Sequence, residues 1–551
     1  MKTFVPQHTH GQIPTKKEHI TLPTPINNKF ISYLKMLKYD NILTAKLELG
    51  FSFGFDIGFR GIPSSNVEVE NSLSTNEHPD VVDEALYKEV VKGRILGPLD
   101  SIPYDTFQLN PLGIVPKKSG DFRLITNLSC PAGNSVNDFI DDIFAEVHYS
   151  SVKDALNILS KVGKDAYLSK TDIKSAFRLI PVSPSQYNIL CYKWKEKFFI
   201  DRCLPMGARS SCSIFELFSS AIEFILKGLG VEYVIHYLDD FLFISKTQED
   251  CSLALKTFQY IAEQIGLPLA PEKTVLPSRC LEFLGYEIST SDEQIRLPKD
   301  KMEKGSALLR LMLTKSYVTL FELQGLCGFL NFACTVIVPG KAFMNGFYGL
   351  MAKLKKPYHR VRLSGEIKKD IKTWLVFFES YNGVSLYREQ LFLSLDQVHI
   401  FSDASQSLGF GAILENDWFY GKWPSDWYNC QNIVLLEFIP VIIAMNIWAF
   451  QLKNKVAIFH IDNQALVSVI NKMRSKEPLV MNLVRQLILK AMCNNTLIES
   501  VHIVGTDNHM ADNLSRLQIT LFKKVHPTAN AQASHFPALP LKLDCRTKLL
   551  C

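Results

Sequence analysis

The sequence predicts an α+β protein that is built from several domains. Its 551 residues exceed the roughly 100–200 that a single domain usually holds. Hydrophobic residues make up 47% and charged residues 21%, an ordinary globular composition that allows sizeable cores. Strands and helices alternate up to about residue 300, helices dominate from 300 to 390, and a strand-rich pattern begins at Val398. These changes of pattern indicate separate folding regions.

Charge and cysteine content narrow the functional classes. The formal net charge of +5 permits a polyanionic partner without requiring one, so any nucleic-acid surface must be local. The basic stretch Lys353–Lys369 fits a solvated helix face as well as it fits a phosphate-tracking surface. The 12 cysteines follow no zinc or disulfide spacing, which is typical of a reducing compartment.

Targeting signals are not evident. Residues 1–17 lack the apolar core of a signal peptide, and the apolar segment Ile433–Phe450 is interrupted by Glu437 and Pro440. We therefore expect a protein of the cytoplasm or nucleus that is neither secreted nor membrane-spanning.

The elements are predicted in the following order. The first half contains a helix followed by a Gly/Phe-rich turn within Phe30–Gly54, a helix at Asp80–Lys92, a hairpin at Gly113–Asn127 that turns at Ser119–Gly120, a strand and short helix at Leu168–Val182, a helix at Ser211–Leu229, a hairpin at Val234–Ile244, a helix at Leu253–Ile265 and a strand at Cys280–Ile288. The second half contains the helices of 300–390, a strand that ends at Asp403, a helix around Glu437, a strand that ends at Asp462, two helices, and a strand and helix within His502–Arg516. From about 519 the chain shows no periodicity.

The most informative stretch is Tyr237-Leu238-Asp239-Asp240, which lies between two apolar segments. Two like charges at the tip of a buried hairpin cost solvation and repel each other unless cations are bound. A solvated turn explains these four residues equally well, because aspartate is a common turn residue.

A third carboxylate, Asp172, ends an apolar strand and precedes a short helix. Helix capping alone explains that position. Together with Asp239 and Asp240, however, Asp172 fits a centre in which two divalent cations serve phosphoryl transfer. Such cations prefer oxygen ligands.

These motifs occur in an order that resembles the palm of retroelement reverse transcriptases. The order is Asp172-x-x-x-x-Phe177, Leu204-Pro-Met-Gly207, Tyr237-x-Asp239-Asp240, Lys273 and Phe283–Ile288, and the upstream hairpin with Lys117 and Arg123 resembles the fingers of the same family. Met206 departs from the resemblance, since many relatives carry Gln or Phe there.

The resemblance implies a role for each of these residues. Asp172 and Asp239 would ligate both metals with Asp240 in support, Phe177 would exclude a 2′ hydroxyl, Lys117 and Arg123 would contact the triphosphate, Gly207 would let the backbone approach template and base, Lys273 would donate a proton to pyrophosphate, and Phe283–Ile288 would hold the primer end. The implied cofactor is Mg²⁺, two ions per active site, with Mn²⁺ as an alternative.

A second set of acids follows: Asp403, Glu437, Asp462 and Asp512. Glu437 interrupts an apolar helix, where an unpaired acid is costly. Their surroundings, Phe401-Ser-Asp403, Asp462-Asn-Gln and Ala511-Asp512-Asn-Leu-Ser-Arg516, resemble the ribonuclease H domains fused to such polymerases. The resemblance implies a second two-metal site. The loop histidine of that family has no clear counterpart, since His509 is not at a matching position.

The resemblance covers about residues 78–518. Within it the segments His78–Val82, Gly113–Lys118, Ser135–Asp138 and Lys355–Leu363 resemble the DIRS-like group of tyrosine-recombinase retrotransposons. The implied fold is a right-hand polymerase followed by an α/β ribonuclease H-like domain. We expect an N-terminal extension at 1–77, fingers and palm at 78–290, a helical thumb or connection at 291–394, a ribonuclease H-like domain at 395–518 and a tail at 519–551.

The implied function is RNA-directed DNA synthesis with removal of RNA from RNA–DNA hybrids. The partners would be an RNA template, a DNA primer, the hybrid and deoxynucleoside triphosphates, and the oligomeric state stays open. The alternative is a co-opted, catalytically silent nucleic-acid-binding protein. An RNA-templated RNA polymerase is disfavoured by Phe177 and by the fused nuclease.

Overall fold

Two compact units, Met1–Leu284 and Gly285–Cys551, divide the chain. The computed structural model describes residues 21–63, 69–117, 120–380, 385–386, 397–428, 430–453, 455–494 and 496–536. The predicted turn residue Ser119 and the predicted boundary at 394/395 lie outside the described residues.

The first unit combines seven helices and ten strands in its described part. The helices are α1 (Lys29–Met36), α2 (Asn41–Phe53), α3 (Leu73–Glu77), α4 (Pro79–Val91), α5 (Val152–Val162), α6 (Ser211–Gly228) and α7 (Gln248–Ile265). The strands are β1 (Ile95–Leu99), β2 (Leu112–Pro116), β3 (Phe122–Thr126), β4 (Tyr167–Asp172), β5 (Cys191–Trp194), β6 (Lys197–Asp201), β7 (Val234–Tyr237), β8 (Asp240–Ser245), β9 (Val275–Ser278) and β10 (Cys280–Phe283).

A four-stranded antiparallel sheet in the order β7-β8-β4-β9 forms the centre of this unit. Residues 241–244 of β8 are buried without interruption, because the strand lies between β7 and β4 and helices α5 and α7 pack against it. Such continuous burial explains why this strand is apolar instead of alternating. The first unit also contains the hairpin β2–β3 and a three-stranded sheet in the order β1-β6-β5.

The N-terminal region is part of the core. The sequence predicts one helix followed by a Gly/Phe-rich turn within Phe30–Gly54. The structure has two helices, because the Asp40 side chain accepts a hydrogen bond from the Leu43 backbone at 2.8 Å and so starts α2 separately. Phe30 is fully buried, and its ring lies edge-on to Phe218 of α6 with centroids 5.1 Å apart. Residues 29–53 therefore share the hydrophobic core of the first unit.

The second unit holds the remaining elements. The helices are α8 (Lys299–Thr314), α9 (Leu320–Ala333), α10 (Asn345–Met351), α11 (Gly365–Ser380), α12 (Ile433–Ile447), α13 (Gln464–Lys472), α14 (Pro478–Cys493), α15 (His509–Ser515) and α16 (Ile519–Val525). The strands are β11 (Tyr286–Ser289), β12 (Gln294–Arg296), β13 (Tyr317–Thr319), β14 (Arg360–Arg362), β15 (Ser385–Leu386), β16 (Gln397–Ala404), β17 (Gly409–Leu414), β18 (Asp417–Lys422), β19 (Val456–Ile461) and β20 (Leu497–His502).

A five-stranded mixed sheet in the order β18-β17-β16-β19-β20 organises the later part of this unit. Strands β16 and β19 run parallel, so their carboxyl ends meet at one edge of the sheet. Helix α12 packs on β16 and β17, and its residues 435–445 are all buried. The helix continues through Pro440 and carries Glu437 into that apolar interface.

The C-terminal expectation was wrong in part. The absence of periodicity after about 519 predicts a tail, yet residues Ile519–Val525 form α16, and Phe522 is fully buried against Trp418 with ring centroids 5.0 Å apart. One buried residue in a seven-residue helix leaves too weak a pattern to detect. Residues 537–551 lie outside the described part of the chain.

A search for membrane spans among the described residues finds no helix that combines the necessary length and apolar character.

The core position of α1 generates a test of stability. Replacing Phe30 by alanine removes a fully buried ring, so we expect the free energy of unfolding in urea to fall by about 3–5 kcal/mol. The matched control is Phe53→Ala, because Phe53 on α2 is 68% exposed and should cost little. Equal losses for the two variants would contradict the inclusion of α1 in the core.

Candidate active sites

The three acids of the first unit come together through strand register. Asp172 is the last residue of β4, and its Cα partner across the antiparallel pair is Asp240, the first residue of β8. Asp239 lies in the turn between β7 and β8, where its carbonyl accepts a hydrogen bond from the Ile173 backbone at 2.9 Å. Leu238 takes a positive φ of 52° and thereby closes this tight turn.

Two lysines offset part of the negative charge. Lys273 Nζ lies 2.9 Å from both carboxylate oxygens of Asp172, and Lys170 Nζ lies 3.8 Å from Asp240. Burial, together with the charges of Asp172 and Asp239, raises the pKa of Asp240 to about 6 in spite of Lys170. Burial and the charge of Asp172 also raise the pKa of Asp239. The acids therefore lack full compensation from the protein itself.

A cavity of about 1010 Å³ collects four of the residues that the sequence singles out, Lys117, Arg123, Met206 and Gly207. Arg123 lies near the departure from the family pattern, since its Nη1 is 3.9 Å from the Met206 sulfur. A Cβ on Gly207 would lie 2.9 Å from the Thr126 carbonyl oxygen, so a side chain is sterically disfavoured there.

Phe177 occupies a different environment from these four. It lies on a short 3₁₀ helix, Ala176–Leu179, and its ring packs against Phe215 of α6 with centroids 5.0 Å apart. The side chain is half-buried, so part of the ring stays accessible. Neither Phe177 nor Lys273 belongs to the described lining of the 1010 Å³ cavity.

Sequence reasoning missed a buried histidine clamp directly before the Asp-Asp turn. His236 Nδ1 lies 2.5 Å from Glu223 and Nε2 lies 2.9 Å from Glu216, and both glutamates belong to α6. Burial opposes a charge on the imidazole, but the two carboxylates outweigh it and raise the pKa of His236 to about 9. The signal was available, because two acids seven residues apart share one face of an otherwise apolar helix.

The acids of the second unit gather at the edge where β16 and β19 end. Ligand oxygens of Asp403, Glu437 and Asp462 all lie within 4.8 Å of one another. Within the described portion of the chain, this is the only group of three acidic, histidine or cysteine ligands that is so compact. Asp172, Asp239 and Asp240 therefore form a looser arrangement, in which Lys273 holds Asp172.

Burial makes the second cluster electrostatically unfavourable without a cation. Burial and the charges of Asp462 and Asp512 raise the pKa of Asp403 to about 6, although Ser515 donates a hydrogen bond to it. Burial and the charges of Asp403 and Asp462 raise the pKa of Glu437 well above its usual range. Glu437 Oε2 is buried and has no hydrogen-bond partner among the residues that the structure describes. An orphaned oxygen in an all-oxygen cluster suits a hard divalent cation.

Asp512 stands apart from these three ligands. It lies on α15, and Arg516 Nε donates a hydrogen bond to its carboxylate at 2.7 Å. Both residues line the same cavity of about 540 Å³ as the other three acids. His509, which sequence reasoning examined for the family's loop histidine, does not line that cavity.

The histidine clamp generates a pH test. A raised folded-state pKa means that the stabilisation is complete below the unfolded value of 6.5 and is lost as the pH rises through about 9. The difference in unfolding free energy between wild type and His236→Gln should therefore shrink by on the order of 3 kcal/mol from about pH 6 to about pH 10. The control is His148→Gln, because His148 is exposed. A difference that does not change with pH would contradict a charged clamp.

Comparison with known families identifies a segment that lies almost wholly in the first unit. Residues 115–288 match the family "Reverse transcriptase (RNA-dependent DNA polymerase)". The matched segment contains Asp172, Asp239 and Asp240 together with Arg123, Lys117 and the other predicted nucleotide-site residues.

Curated relatives are viral polyproteins. The chain is 24% identical over 249 residues to the Pro-Pol polyprotein of feline foamy virus, and 24% identical over 262 residues to the Gag-Pol polyprotein of avian reticuloendotheliosis virus. Each alignment covers 45% of this chain and 20% of the polyprotein, so the chain spans about a fifth of the relatives it matches.

A solved structure extends the likeness over most of the chain. The foamy viral protease-reverse transcriptase dRH in complex with double-stranded DNA aligns with 89% of this chain and 84% of its own, at a TM-score of 0.50 and 16% identity. This likeness confirms the expected fold, a mixed α/β multidomain polymerase arrangement with a ribonuclease H-like region. Residues 115–288 are a reverse transcriptase domain of the kind found in retroviral and retroelement Pol proteins.

Proposed function

We propose that the chain is an RNA-directed DNA polymerase with a fused ribonuclease that degrades the RNA of RNA–DNA hybrids. The observation that carries the polymerase assignment is the register of β4 and β8, which sets Asp172 opposite Asp240 with Asp239 in the adjoining turn, inside a reverse transcriptase domain. Three acids at converging strand ends are what two-metal phosphoryl transfer needs.

In the polymerase reaction Asp172 and Asp239 would hold divalent cations, Mg²⁺ or Mn²⁺, with Asp240 in support. When bound, these cations supply activation of the primer 3′ hydroxyl and neutralisation of the charge on the phosphates. Lys117 and Arg123 line the large cavity and would bind the triphosphate, where the planar guanidinium suits phosphate oxygens. Phe177 would lie under the sugar and exclude a 2′ hydroxyl, which selects deoxynucleotides.

Lys273 has a position that suggests an additional task. Its ammonium group neutralises Asp172 while no cation is bound, because it contacts both carboxylate oxygens at 2.9 Å. Cation binding would release this lysine from Asp172. A lysine freed in this way is available to protonate the leaving pyrophosphate, the role that the family resemblance assigns to it.

In the nuclease reaction Asp403, Glu437 and Asp462 would hold the cations, and Asp512 would join once Arg516 releases it. The support for this proposal is the 4.8 Å cluster with its orphaned Glu437 oxygen. The ligated cations would stabilise negative charge on the scissile phosphate. The substrate would be an RNA–DNA hybrid, recognised by backbone and groove shape instead of base sequence.

The remaining proposals concern origin and organisation. We infer a DIRS-like retrotransposon source from the sequence motifs, with fingers and palm at 78–290, a thumb or connection at 291–394 and the ribonuclease H-like domain at 395–518. A catalytically silent binding protein is less well supported, because all seven acids are present. Several of them are buried, which destabilises the fold, and catalysis is a reason to keep them.

One substrate tests both activities. A DNA primer annealed to an RNA template, with the two strands carrying different labels, reports extension and RNA cleavage in one reaction with deoxynucleotides and Mg²⁺. We expect wild type to do both. Asp239→Asn should lose at least about a hundredfold in extension and keep cleavage, whereas Glu437→Gln should do the reverse, because each change removes a metal ligand from one centre.

Two controls make the result decisive. In the first control, ribonucleotides replace deoxynucleotides. The second control is the variant Asp417→Asn, which changes a carboxylate of the second unit that lies outside the cluster of Asp403, Glu437 and Asp462. A folded wild type that binds the hybrid and neither extends nor cleaves it would overturn the proposal. Cleavage by Glu437→Gln at the wild-type rate would overturn the nuclease assignment alone.

A further inference from the structure

A small two-stranded sheet in the second unit carries an unexplained combination of exposed aromatic and cationic side chains. Strands β13 and β14 pair antiparallel with Tyr317 opposite Arg362 and Thr319 opposite Arg360. Residues directly opposite each other lie on the same face of a sheet, so these four share one face. Val318 points the other way and is fully buried.

Neighbouring segments extend this face. Phe321 is the second residue of α9, and its backbone donates a hydrogen bond to the Pro357 carbonyl at 3.0 Å. This bond holds the segment that precedes β14 against the start of the helix. Tyr358 lies in that segment, and Lys356 Nζ is 5.8 Å from the centroid of its ring. We call Tyr317, Phe321, Lys356, Tyr358, Arg360 and Arg362 the basic aromatic surface.

The aromatic rings of this surface are not packed in a hydrophobic core. Tyr317 is 58%, Phe321 72% and Tyr358 67% exposed, so most of each ring is in contact with water. Tyr317 and Phe321 are four residues apart, and Tyr358 directly follows Pro357, whose carbonyl accepts the hydrogen bond from Phe321. Together the three exposed rings make an apolar surface of the kind found at binding sites. Structural packing therefore leaves their presence unexplained.

Among the residues that the structure describes, the cations of this surface have no ion-pair partner. No acidic group in the described part of the chain lies within ion-pair distance of Lys356, Arg360 or Arg362, and the same holds for the adjacent Lys353 and Lys355. The two acids nearest to this surface in sequence are already paired, Glu366 with Lys369 and Glu322 with Lys315. Hydrogen bonds from Lys315 and Thr319 lower the pKa of Glu322 to about 2. The surface is thus positively charged and available to an anion.

Exposed rings interleaved with unpaired cations fit one kind of partner. Bases of a single-stranded nucleic acid stack on aromatic side chains while cations follow the phosphates. Bases of a duplex are already stacked on each other and offer no free face, so a duplex would use the cations but not the rings. We propose that the basic aromatic surface binds an unpaired nucleic-acid strand.

The inference rests on the proposed function in one respect, namely that nucleic acid is the substrate. It adds that the second unit itself contacts a strand that has not yet been copied or has been freed by cleavage. Both RNA and DNA strands carry the necessary bases and phosphates, so the experiment includes both.

Fluorescence anisotropy of the full chain tests the proposal with three probes, a short oligouridine, a short oligothymidine and a blunt DNA duplex. The combined variant Tyr317→Ala, Phe321→Ala and Tyr358→Ala should lose at least about tenfold in affinity for one or both single strands and less than about twofold for the duplex. The combined variant Tyr317→Phe, Phe321→Trp and Tyr358→Trp should restore binding, because it restores the rings.

The charge contribution is measured separately. Arg360→Gln with Arg362→Gln should reduce the slope of log affinity against log salt by about 1.4 for single strands, since two phosphate contacts are removed.

Matched controls for the triple alanine variant are Tyr87→Ala and Tyr260→Ala, whose rings are 66% and 57% exposed elsewhere in the chain. Cross-linking of an iodouridine-containing oligonucleotide should label Tyr317, Phe321 or Tyr358.

The outcomes separate this inference from the proposed function. Single-strand affinity that is unchanged in the triple alanine variant, or lost equally for single strands and duplex, would overturn the inference even if the wild type extends primers. A wild type that binds single strands through these rings but never extends a primer would uphold the inference and overturn the polymerase assignment.

Discussion

Buried carboxylates without sufficient internal cations are the constraint on which both candidate sites depend. In the first unit Lys273 and Lys170 offset only part of the charge on Asp172, Asp239 and Asp240, and burial keeps the pKa of Asp240 at about 6. In the second unit Glu437 is buried with an orphaned oxygen beside Asp403 and Asp462. Both arrangements carry a free-energy cost that bound divalent cations would remove.

The scaffold of each unit explains how these acids are held in spite of their repulsion. Antiparallel register fixes Asp172 opposite Asp240, and His236 ties the preceding strand to two glutamates of α6. In the second unit the parallel pair β16–β19 brings two strand ends to one edge. Glu437 comes from α12, where the neighbouring buried side chains are apolar. Each site thus depends on surrounding packing that is stable enough to tolerate the charge.

Much of this arrangement was predictable from the sequence. Asp172, Asp239, Asp403 and Asp462 all end or follow apolar strands, a pattern that local reasoning detects. Other features depend on contacts between distant segments. The clamp of His236 with Glu216 and Glu223 needs the packing of a strand on a helix, the core position of Phe30 needs contact with Phe218, and the buried Phe522 of α16 needs the sheet beneath it. Local periodicity contains no information about such partners.

The basic stretch was likewise only partly predictable from the sequence. The sequence indicated a basic stretch at Lys353–Lys369 but left a solvated helix face as an equal explanation. The structure places Arg360 and Arg362 on a strand beside Tyr317, so the helix explanation was wrong for these two residues. Cross-strand pairing, which a sequence does not reveal by itself, is what joins charge and aromatic character on one face.

The most direct test of the carboxylate account is the stability of the full chain as Mg²⁺ is titrated. A ligand that binds only the folded state adds about 2.7 kcal/mol at a hundredfold excess over its Kd. Wild type should gain stability with Mg²⁺, Asp239→Asn and Glu437→Gln should each lose part of that gain, and the double variant should lose nearly all of it. A wild type that Mg²⁺ does not stabilise, or a double variant stabilised as much as wild type, would contradict the account.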